Sequence, residues 1–185
     1  MTDSHDGDQF LAMQPRPNPL TTLSLRAIYE RELTYVWSTL RRLGVRAADL
    51  EDASHEVFVV VQRRLADYDE SRALRPWLFG IAYRIASEFR RRTKRQSEVE
   101  LEDVATQHSL QDDALGRAQD RALILTALEA VEIDRRAVFI LHDIDGTAVP
   151  EIAHSLGIPL NTAYSRLRLA RAEFAKAVMK LRGPQ

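Results

Sequence analysis

The sequence contains no cysteine and no long apolar run, and these two absences exclude several classes of protein. Without cysteine, the chain can form neither a disulfide framework nor a thiolate metal site. Acidic residues interrupt the N-terminal stretch, which predicts neither a secretion signal nor a membrane-spanning segment. We therefore expect a cytoplasmic protein with no membrane insertion.

Glycine-rich and metal-binding motifs are also lacking. The seven glycines are isolated, and none belongs to a phosphate-binding loop. His55 and Glu56 begin like a zinc motif, but the position that needs the second histidine is Val59. The other histidines are scattered along the chain. The sequence therefore predicts no metal, no cofactor and no catalytic residue, which means that we do not expect an enzyme.

Charge is unevenly distributed, although the formal net charge of the 185 residues is only −1. Residues 84–95 contain six basic residues and one glutamate, whereas residues 96–116 contain six acidic residues and no lysine or arginine. This segregation is compatible with a nucleic-acid surface on the basic part. We interpret the acidic part, residues 96–117, as a flexible linker, with shielding of a basic surface as the alternative.

Apolar residues recur with a helical period on both sides of this linker, which predicts an all-α fold with two small helical domains. Proline and acidic residues in 1–22 indicate a flexible tail. Three amphipathic helices are expected in 23–95, with Gly44 ending the first and Asp49 capping the second. Four helices are expected in 118–182, with Asp134 as a cap and Gly146 as a break.

The last part of the second domain has the pattern of a helix-turn-helix. Gly157 can adopt the positive φ that ends a short helix, and Pro159 prevents its simple continuation. The apolar stripe expected on the following helix is Ala163, Leu167, Ala170, Phe174, Val178 and Leu181. Its other face is polar and cationic, as a DNA-reading helix requires. The alternative is an ordinary helical hairpin with a solvated basic face.

Three segments in this order resemble the extracytoplasmic-function (ECF) group of bacterial sigma factors. They are LEDASHEVFVVVQRRL at 50–65, RPWLFGIAYRIASEFRRR at 75–92 and EIAHSLGIPLNTAYSRLRLARAEF at 151–174. The resemblance covers both predicted domains. It implies a protein that binds core RNA polymerase, directs it to a two-element promoter and helps to open the DNA, with an anti-sigma factor as a further family expectation.

The resemblance also implies a site for each partner. The clamp subunit of the polymerase is expected to contact the second helix, at Asp52, His55 and Glu56. The minus-ten element is assigned to the third helix, at Trp77, Tyr83, Arg84, Glu88 and Arg91. The minus-thirty-five element is assigned to the last helix, at Thr162, Tyr164, Ser165, Arg166, Arg168 and Arg171. Each assignment has a structural alternative, namely a solvated face or, for Trp77, a place in the core.

The chain departs from the family pattern at several positions. Arg84 and Glu88 replace the common asparagine and aspartate, so the minus-ten sequence is not carried over. Ala148 replaces the usual capping serine, for which Thr147 is a possible substitute, and Asn161 replaces a common glycine. The rival interpretations are a helix-turn-helix regulator that does not bind polymerase and a helical adaptor that binds only protein.

Overall fold

The computed structural model describes residues 24–99 and 115–182, and the regular elements in these ranges are all helical. The first domain contains α1 (Leu25–Arg42), α2 (Leu50–Arg64) and α3 (Leu74–Val99), with short 3-10 turns at Ala47–Asp49 and Leu65–Asp67. The second domain contains α4 (Leu115–Glu129), α5 (Ile133–Phe139), a π-helical turn (Ile140–Ile144), α6 (Val149–Leu156) and α7 (Leu160–Arg182). The predicted all-α class and its two helical domains are confirmed.

The first domain is a three-helix unit around one apolar core. The Ser24 hydroxyl accepts a hydrogen bond from the Ala27 N–H at 3.2 Å, which caps the start of α1. Gly44, with φ +89°, turns the chain after α1, as the sequence predicts. The side chains that α1, α2 and α3 bury include Ile28, Val36, Leu40, Ala53, Val57, Val61, Leu78 and Ile85.

The second domain ends in the predicted helix-turn-helix. Gly157 ends α6 with φ +66°, and Gly146 follows the π-helical turn with φ +73°, so both glycines have the predicted role. The predicted stripe on α7 is buried at Ala163, Leu167 and Ala170, but Leu181 is 45% exposed and Ala177 is buried instead. A repeat of 3.6 residues explains this shift, because a stripe spaced by three and four rotates slowly around a long helix.

Three predicted helix caps are wrong. The carboxylate of Glu132, not that of Asp134, accepts from the first N–H groups of α5, at 3.1 and 3.3 Å. Asp49 stands at the cap position of α2, but its carboxylate binds the Arg46 guanidinium at 2.7 Å. Ala148 precedes α6 without any side-chain cap, so Thr147 does not take that role. The first two differences arise because a residue nearby in the sequence competes: Glu132 accepts from the N–H groups of α5, and Arg46 binds the carboxylate of Asp49.

The two domains pack against each other and share one continuous apolar core. Helix α3 of the first domain lies against α6 of the second. Gly80 allows this close approach, since a Cβ at that position would lie 2.6 Å from the carbonyl oxygen of Ser155. The sequence predicted two domains but gave no indication that they would dock.

The predicted tail at 1–22 lies outside the described residues, as does most of the predicted linker at 96–117. Helix α3 continues to Val99 and α4 already begins at Leu115, so the described ends of the linker region are helical. Within 24–99 and 115–182, none of the helices is long and apolar enough to cross a membrane.

Candidate nucleic-acid and protein interfaces

The N-terminal half of α7 presents polar side chains on the face opposite its buried stripe. Tyr164 is 53% exposed, and Ser165 and Arg168 are also exposed. Thr162 is half-buried, and its carbonyl oxygen accepts a hydrogen bond from the Ser165 hydroxyl at 2.9 Å. Four of the six residues assigned to the upstream element therefore lie together at one end of the helix.

The other two residues of that set form ion pairs inside the second domain. Arg166 donates to a carboxylate oxygen of Asp134 at 2.6 Å, and its side chain is only 25% exposed. Arg171 donates through two nitrogens to Asp143, at 2.9 and 2.6 Å. These hydrogen bonds from Arg171 lower the pKa of the Asp143 carboxyl. Both guanidinium groups are therefore held by protein carboxylates in this structure.

Trp77 lies where α3 meets the second domain. Its ring packs on that of Tyr68, with 4.8 Å between the ring centroids, and the side chain is half-buried against the core. Beside it is a cleft of about 410 Å³ whose lining includes Arg84 from α3 and Glu151 and His154 from α6. Trp77 therefore contributes to packing and also lines an open surface between the domains.

Tyr83, nearly two turns further along α3, contacts the second domain directly. Its hydroxyl donates to the Asp134 carboxylate oxygen that Arg166 does not use. Burial of the ring, followed by this hydrogen bond and the charge of Asp134, raises the pKa of Tyr83 to about 12. The phenol is thus neutral at physiological pH and acts as a hydrogen-bond donor.

The remaining residues assigned to the downstream element are exposed on α3. Arg84, Glu88 and Arg91 all reach solvent, and Glu88 accepts a hydrogen bond from Arg92 at 2.5 Å. Arg91 also lines a second cleft, of about 460 Å³, together with Arg90 and Lys94. The C-terminal half of α3 therefore carries a cationic surface beside the apolar lining of this cleft, which includes Phe89.

The outer face of α2 is acidic and meets the exposed side of α3 at Arg92, which also donates to Glu88. Asp52 and His55 are exposed, and Glu56 is half-buried with its carboxylate 3.8 Å from the Arg92 guanidinium. The opposite face of the helix buries Val57 and Val61 in the core. The three residues assigned to the polymerase are thus brought together on one solvent-facing side.

Sequence reasoning missed the residues that join the two domains. Asp145, on the C-terminal side of the π-helical turn, accepts a hydrogen bond from the Tyr35 hydroxyl at 2.8 Å and lies 3.6 Å from Arg42. Burial raises the pKa of Asp145 despite these partners. Tyr35 has a spacing typical of a core residue, so only a structure could pair it with a carboxylate 110 positions later.

A buried arginine was also missed. Arg136 is fully buried and donates to the backbone carbonyls of Val131 and Glu129, where α4 ends. Burial, followed by the charge of Arg90, lowers the pKa of Arg136 to about 10. These hydrogen bonds connect the start of α5 to the C-terminal end of α4. Among the described residues, no group of three or more His, Cys, Asp or Glu side chains is placed to hold a metal ion.

Comparisons with known proteins cover both domains. The family model for sigma-70 region 2 matches residues 28–96, and the model for sigma-70 region 4 matches residues 121–174. The ECF RNA polymerase sigma factor SigL of Mycobacterium tuberculosis is 31% identical over 148 residues, which are 79% of this chain and 84% of SigL. The RNA polymerase sigma factor CnrH of Cupriavidus metallidurans is 28% identical over 145 residues, 73% of this chain and 76% of CnrH.

Two solved structures have a similar fold. CnrH in complex with the cytosolic domain of CnrY has a TM-score of 0.60 at 22% identity and covers 82% of this chain and 85% of that one. The sigma factor RpoE in complex with the anti-sigma factor NepR, from Bartonella quintana, has a TM-score of 0.61 at 22% identity and covers 81% of this chain and 96% of that one. With both domain models matched in order and a relative above 30% identity, this chain belongs to the ECF family of RNA polymerase sigma factors, which are transcription initiation factors and not enzymes.

Proposed function

We propose that this protein binds core RNA polymerase through the outer face of α2 and carries it to a two-element promoter, which α3 and α7 contact. The observation that carries this proposal is the presence of three surfaces of different character in one chain. An acidic face lies on α2, a cationic and aromatic face on α3, and a polar helix end on α7. A regulator that bound only duplex DNA would need the last of these alone.

The α7 surface fits the upstream, minus-thirty-five element. The second helix of a helix-turn-helix enters the major groove with its N-terminal residues near base edges. Tyr164, Ser165 and Thr162 are at that end, whereas Arg168 lies one turn later and suits a phosphate. Arg166 and Arg171 join this surface only after they leave Asp134 and Asp143.

The α3 surface fits the downstream, minus-ten element, where strands separate. Single-stranded DNA is held by cations along the backbone and by aromatic rings that stack on bases. Arg84 and Arg91 supply exposed cations, and Trp77 and Tyr83 supply rings that the second domain now partly covers. Glu88 lies between Arg84 and Arg91 on the exposed side of α3. It would contact the opened strand and not the apolar core of the domain.

The α2 surface fits a basic partner on the clamp subunit of the polymerase. Asp52 and Glu56 carry negative charge on the solvent side of a helix whose other side is fixed in the core. Complementary charge across such a face raises the rate and specificity of association. Binding to core polymerase places the protein in the cytoplasm. The complex of RpoE with NepR adds an anti-sigma factor as a further class of partner for this chain.

The test is reconstitution with purified core polymerase. Transcription starts that appear on overexpression would first be mapped to obtain a promoter. The full chain should then co-purify with core enzyme and support transcription from that promoter, whereas core alone should not. Binding to the duplex without any association with core would instead support a conventional helix-turn-helix regulator.

A second template tests the role of α3. Alanine at Arg84, Glu88 and Arg91 should impair transcription from the closed duplex, and a template with a pre-melted bubble should restore it. Equal failure on both templates would indicate misfolding or lost polymerase binding. Full activity on both would show that these three side chains are only a solvated face.

A further inference from the structure

The second cleft, of about 460 Å³, lies between the turn after α1, the C-terminal half of α3 and the start of α5. Its volume is within the range of small-molecule sites. Val45, Phe89 and Ile133 make part of its lining apolar. Of the residues that line it, only Arg91 belongs to the surfaces assigned above, so the proposed function leaves most of this cleft without a role.

The charged part of the lining is mainly cationic. Arg90, Arg91 and Lys94 line the cleft from α3. Arg46 lines it from the turn after α1. Among the described residues that line the cleft, the one carboxylate is that of Asp49, and it already binds the Arg46 guanidinium at 2.7 Å. The lining therefore has an excess of positive charge.

A buried arginine lies directly behind this lining. A Cβ on Gly44, which lines the cleft, would be 2.7 Å from Nη1 of Arg136 and would collide with Nη1 of Arg90. The two guanidinium groups are thus close together beside a residue that has no side chain. Nη1 of Arg136 is buried without a hydrogen-bond partner among the described residues, whereas Nε and Nη2 donate to backbone carbonyls.

This arrangement brings two positive charges together. Burial, followed by the charge of Arg90, lowers the pKa of Arg136 to about 10, and Glu129 and Glu132 only partly offset this effect. A buried donor without an acceptor is also unfavourable, because it has lost its hydrogen bonds to water. An anion between the two guanidinium groups would relieve the repulsion and satisfy the donor.

From this geometry we propose that the cleft is a binding site for a small phosphate-bearing ligand of the nucleotide class. The phosphate would lie between Arg90 and Arg136 beside Gly44, and the base would contact the apolar lining, which includes Phe89. Guanidinium groups match phosphate oxygens in charge and in hydrogen-bond geometry. The inference goes beyond the proposed function and does not depend on it.

The Arg90 side chain is placed to move when such a ligand enters. Its Nη1 donates to the Leu43 carbonyl at 3.5 Å, which is the limit of a hydrogen bond, so this contact holds the guanidinium only weakly over Arg136. The exposed Arg91 is accessible to the backbone of DNA, but Arg136 is fully buried. Only a group that enters the cleft can reach it, and this depth favours a small ligand.

Isothermal titration calorimetry on the free, full-length chain tests the site with ADP, pyrophosphate and adenosine. ADP has both the phosphates and the base, and we expect it to bind more tightly than either of the other two probes. Arg90→Ala should weaken ADP binding about tenfold or more, as expected for a lost hydrogen bond between charged groups. Arg63→Ala is the matched control, because Arg63 is an exposed arginine of α2 that does not line the cleft. It should bind ADP like the unsubstituted chain.

Thermal unfolding with and without pyrophosphate separates a binding role of Arg90 from a structural one. Without ligand, Arg90→Ala should keep or raise the Tm, because it removes a positive charge beside Arg136 and loses only the weak contact with Leu43. Pyrophosphate should raise the Tm of the unsubstituted chain and not that of the variant. A lower Tm of the variant without ligand, with an equal gain from pyrophosphate, would overturn the proposal.

The calorimetry has further outcomes that would contradict the site. Absence of ADP binding at millimolar concentration would overturn it, and if Arg90→Ala then weakened binding to the mapped promoter, the cleft would belong to the DNA surface. Equal weakening by Arg90→Ala and Arg63→Ala would indicate attraction by net charge alone and would also overturn it. ADP binding no tighter than that of pyrophosphate would overturn the assignment to nucleotides. Because the calorimetry requires neither DNA nor polymerase, a chain that failed to support transcription would still show the site.

Discussion

Asp143 and Asp145 lie two residues apart and each is close to an arginine, yet the structure predicts opposite effects when their charges are removed. Asp143 receives two hydrogen bonds from Arg171, and these lower the pKa of its carboxyl. Asp145 is more deeply buried, and burial raises the pKa of its carboxyl even though Tyr35 and Arg42 act in the other direction. The charged form is thus stabilised by folding at Asp143 and destabilised by folding at Asp145.

Asp143→Asn should therefore destabilise the protein. The Arg171 side chain is 52% exposed, so solvent weakens the pair, but its two-nitrogen geometry places it at the upper end of the range for surface ion pairs. We expect a loss of about 1 kcal/mol in the free energy of unfolding at pH 7. For a chain of this size, that corresponds to a fall in Tm of about 2–4 °C.

Asp145→Asn should leave stability within about 0.5 kcal/mol of its original value, or increase it. The asparagine oxygen can still accept from the Tyr35 hydroxyl, and the buried negative charge is removed. Arg42, at 3.6 Å, is 31% exposed and can turn to water, so it is not left as an isolated buried charge.

The dependence on pH distinguishes the two carboxylates further. The stabilisation from Asp143 is fully present above its unfolded pKa, about 3.9, and is lost as the pH falls through its lower folded pKa. The buried charge of Asp145 lowers the free energy of unfolding, and this loss of stability appears as the pH rises from about 3.9 through the higher folded pKa of Asp145. Urea unfolding of the unsubstituted chain and both variants at pH 7 and near pH 4 would measure these differences. If Asp145→Asn destabilised the protein as much as Asp143→Asn at pH 7, the argument from burial would be refuted.

Three other predictions concern the ends and outer faces of helices. Glu132→Ala should lower stability by about 1 kcal/mol in urea unfolding, because two N–H groups of α5 lose their acceptor, whereas Glu132→Asp should lose less. Arg168→Ala should reduce the slope of log affinity against log salt by about 1 in promoter binding, as expected for one lost phosphate contact, and an unchanged slope would remove Arg168 from the interface. Lysine at both Asp52 and Glu56 should abolish co-purification with core polymerase while stability changes by only about 0.5 kcal/mol, and normal co-purification of the folded variant would contradict the assignment.

Much of the local fold could be predicted because periodicity and glycine have direct structural meaning. The apolar spacing of α2 and α3 identified their buried faces, and Gly44, Gly146 and Gly157 have the positive φ that was expected of chain breaks. In α1 the spacing was a poorer guide, because Tyr29 and Trp37 share the apolar period but are 46% and 39% exposed. The helix-turn-helix followed from Gly157 and Pro159 in the same way. These signals act over a few residues, so a linear sequence contains them completely.

Helix caps were harder to predict because several acceptors compete within a few positions. Asp134 is a good capping residue by type, but Glu132 reaches the same N–H groups and leaves Asp134 free to bind Tyr83 and Arg166. The π-helical turn at Ile140–Ile144 has no sequence signal of its own, since its apolar residues also fit a continued α-helix. The choice in each case depends on partners that only the folded chain supplies.

Docking of the domains could not be predicted, because its determinants are isolated residues without any period. Gly80 is one glycine inside a helical pattern, and its meaning depends on a carbonyl 75 positions later, at Ser155. The internal partners of the site residues could not be predicted for the same reason. Of these, Tyr164, Ser165, Arg168, Asp52 and His55 are exposed, whereas Tyr83 and Arg166 have partners inside the protein.

Two of the arginines proposed to contact DNA are paired with carboxylates in this structure, in a chain whose formal net charge is only −1. Guanidinium and phenol groups that suit phosphates and bases equally suit a carboxylate, because both partners are acceptors with negative charge. Asp134 and Asp143 supply such acceptors to Arg166 and Arg171 when DNA is absent. In the proposed complex with DNA, each pair breaks before its arginine meets a phosphate, so Asp134 and Asp143 oppose that contact. The near balance of charges in this chain is therefore compatible with DNA binding and favours a surface that promoter DNA must compete to occupy.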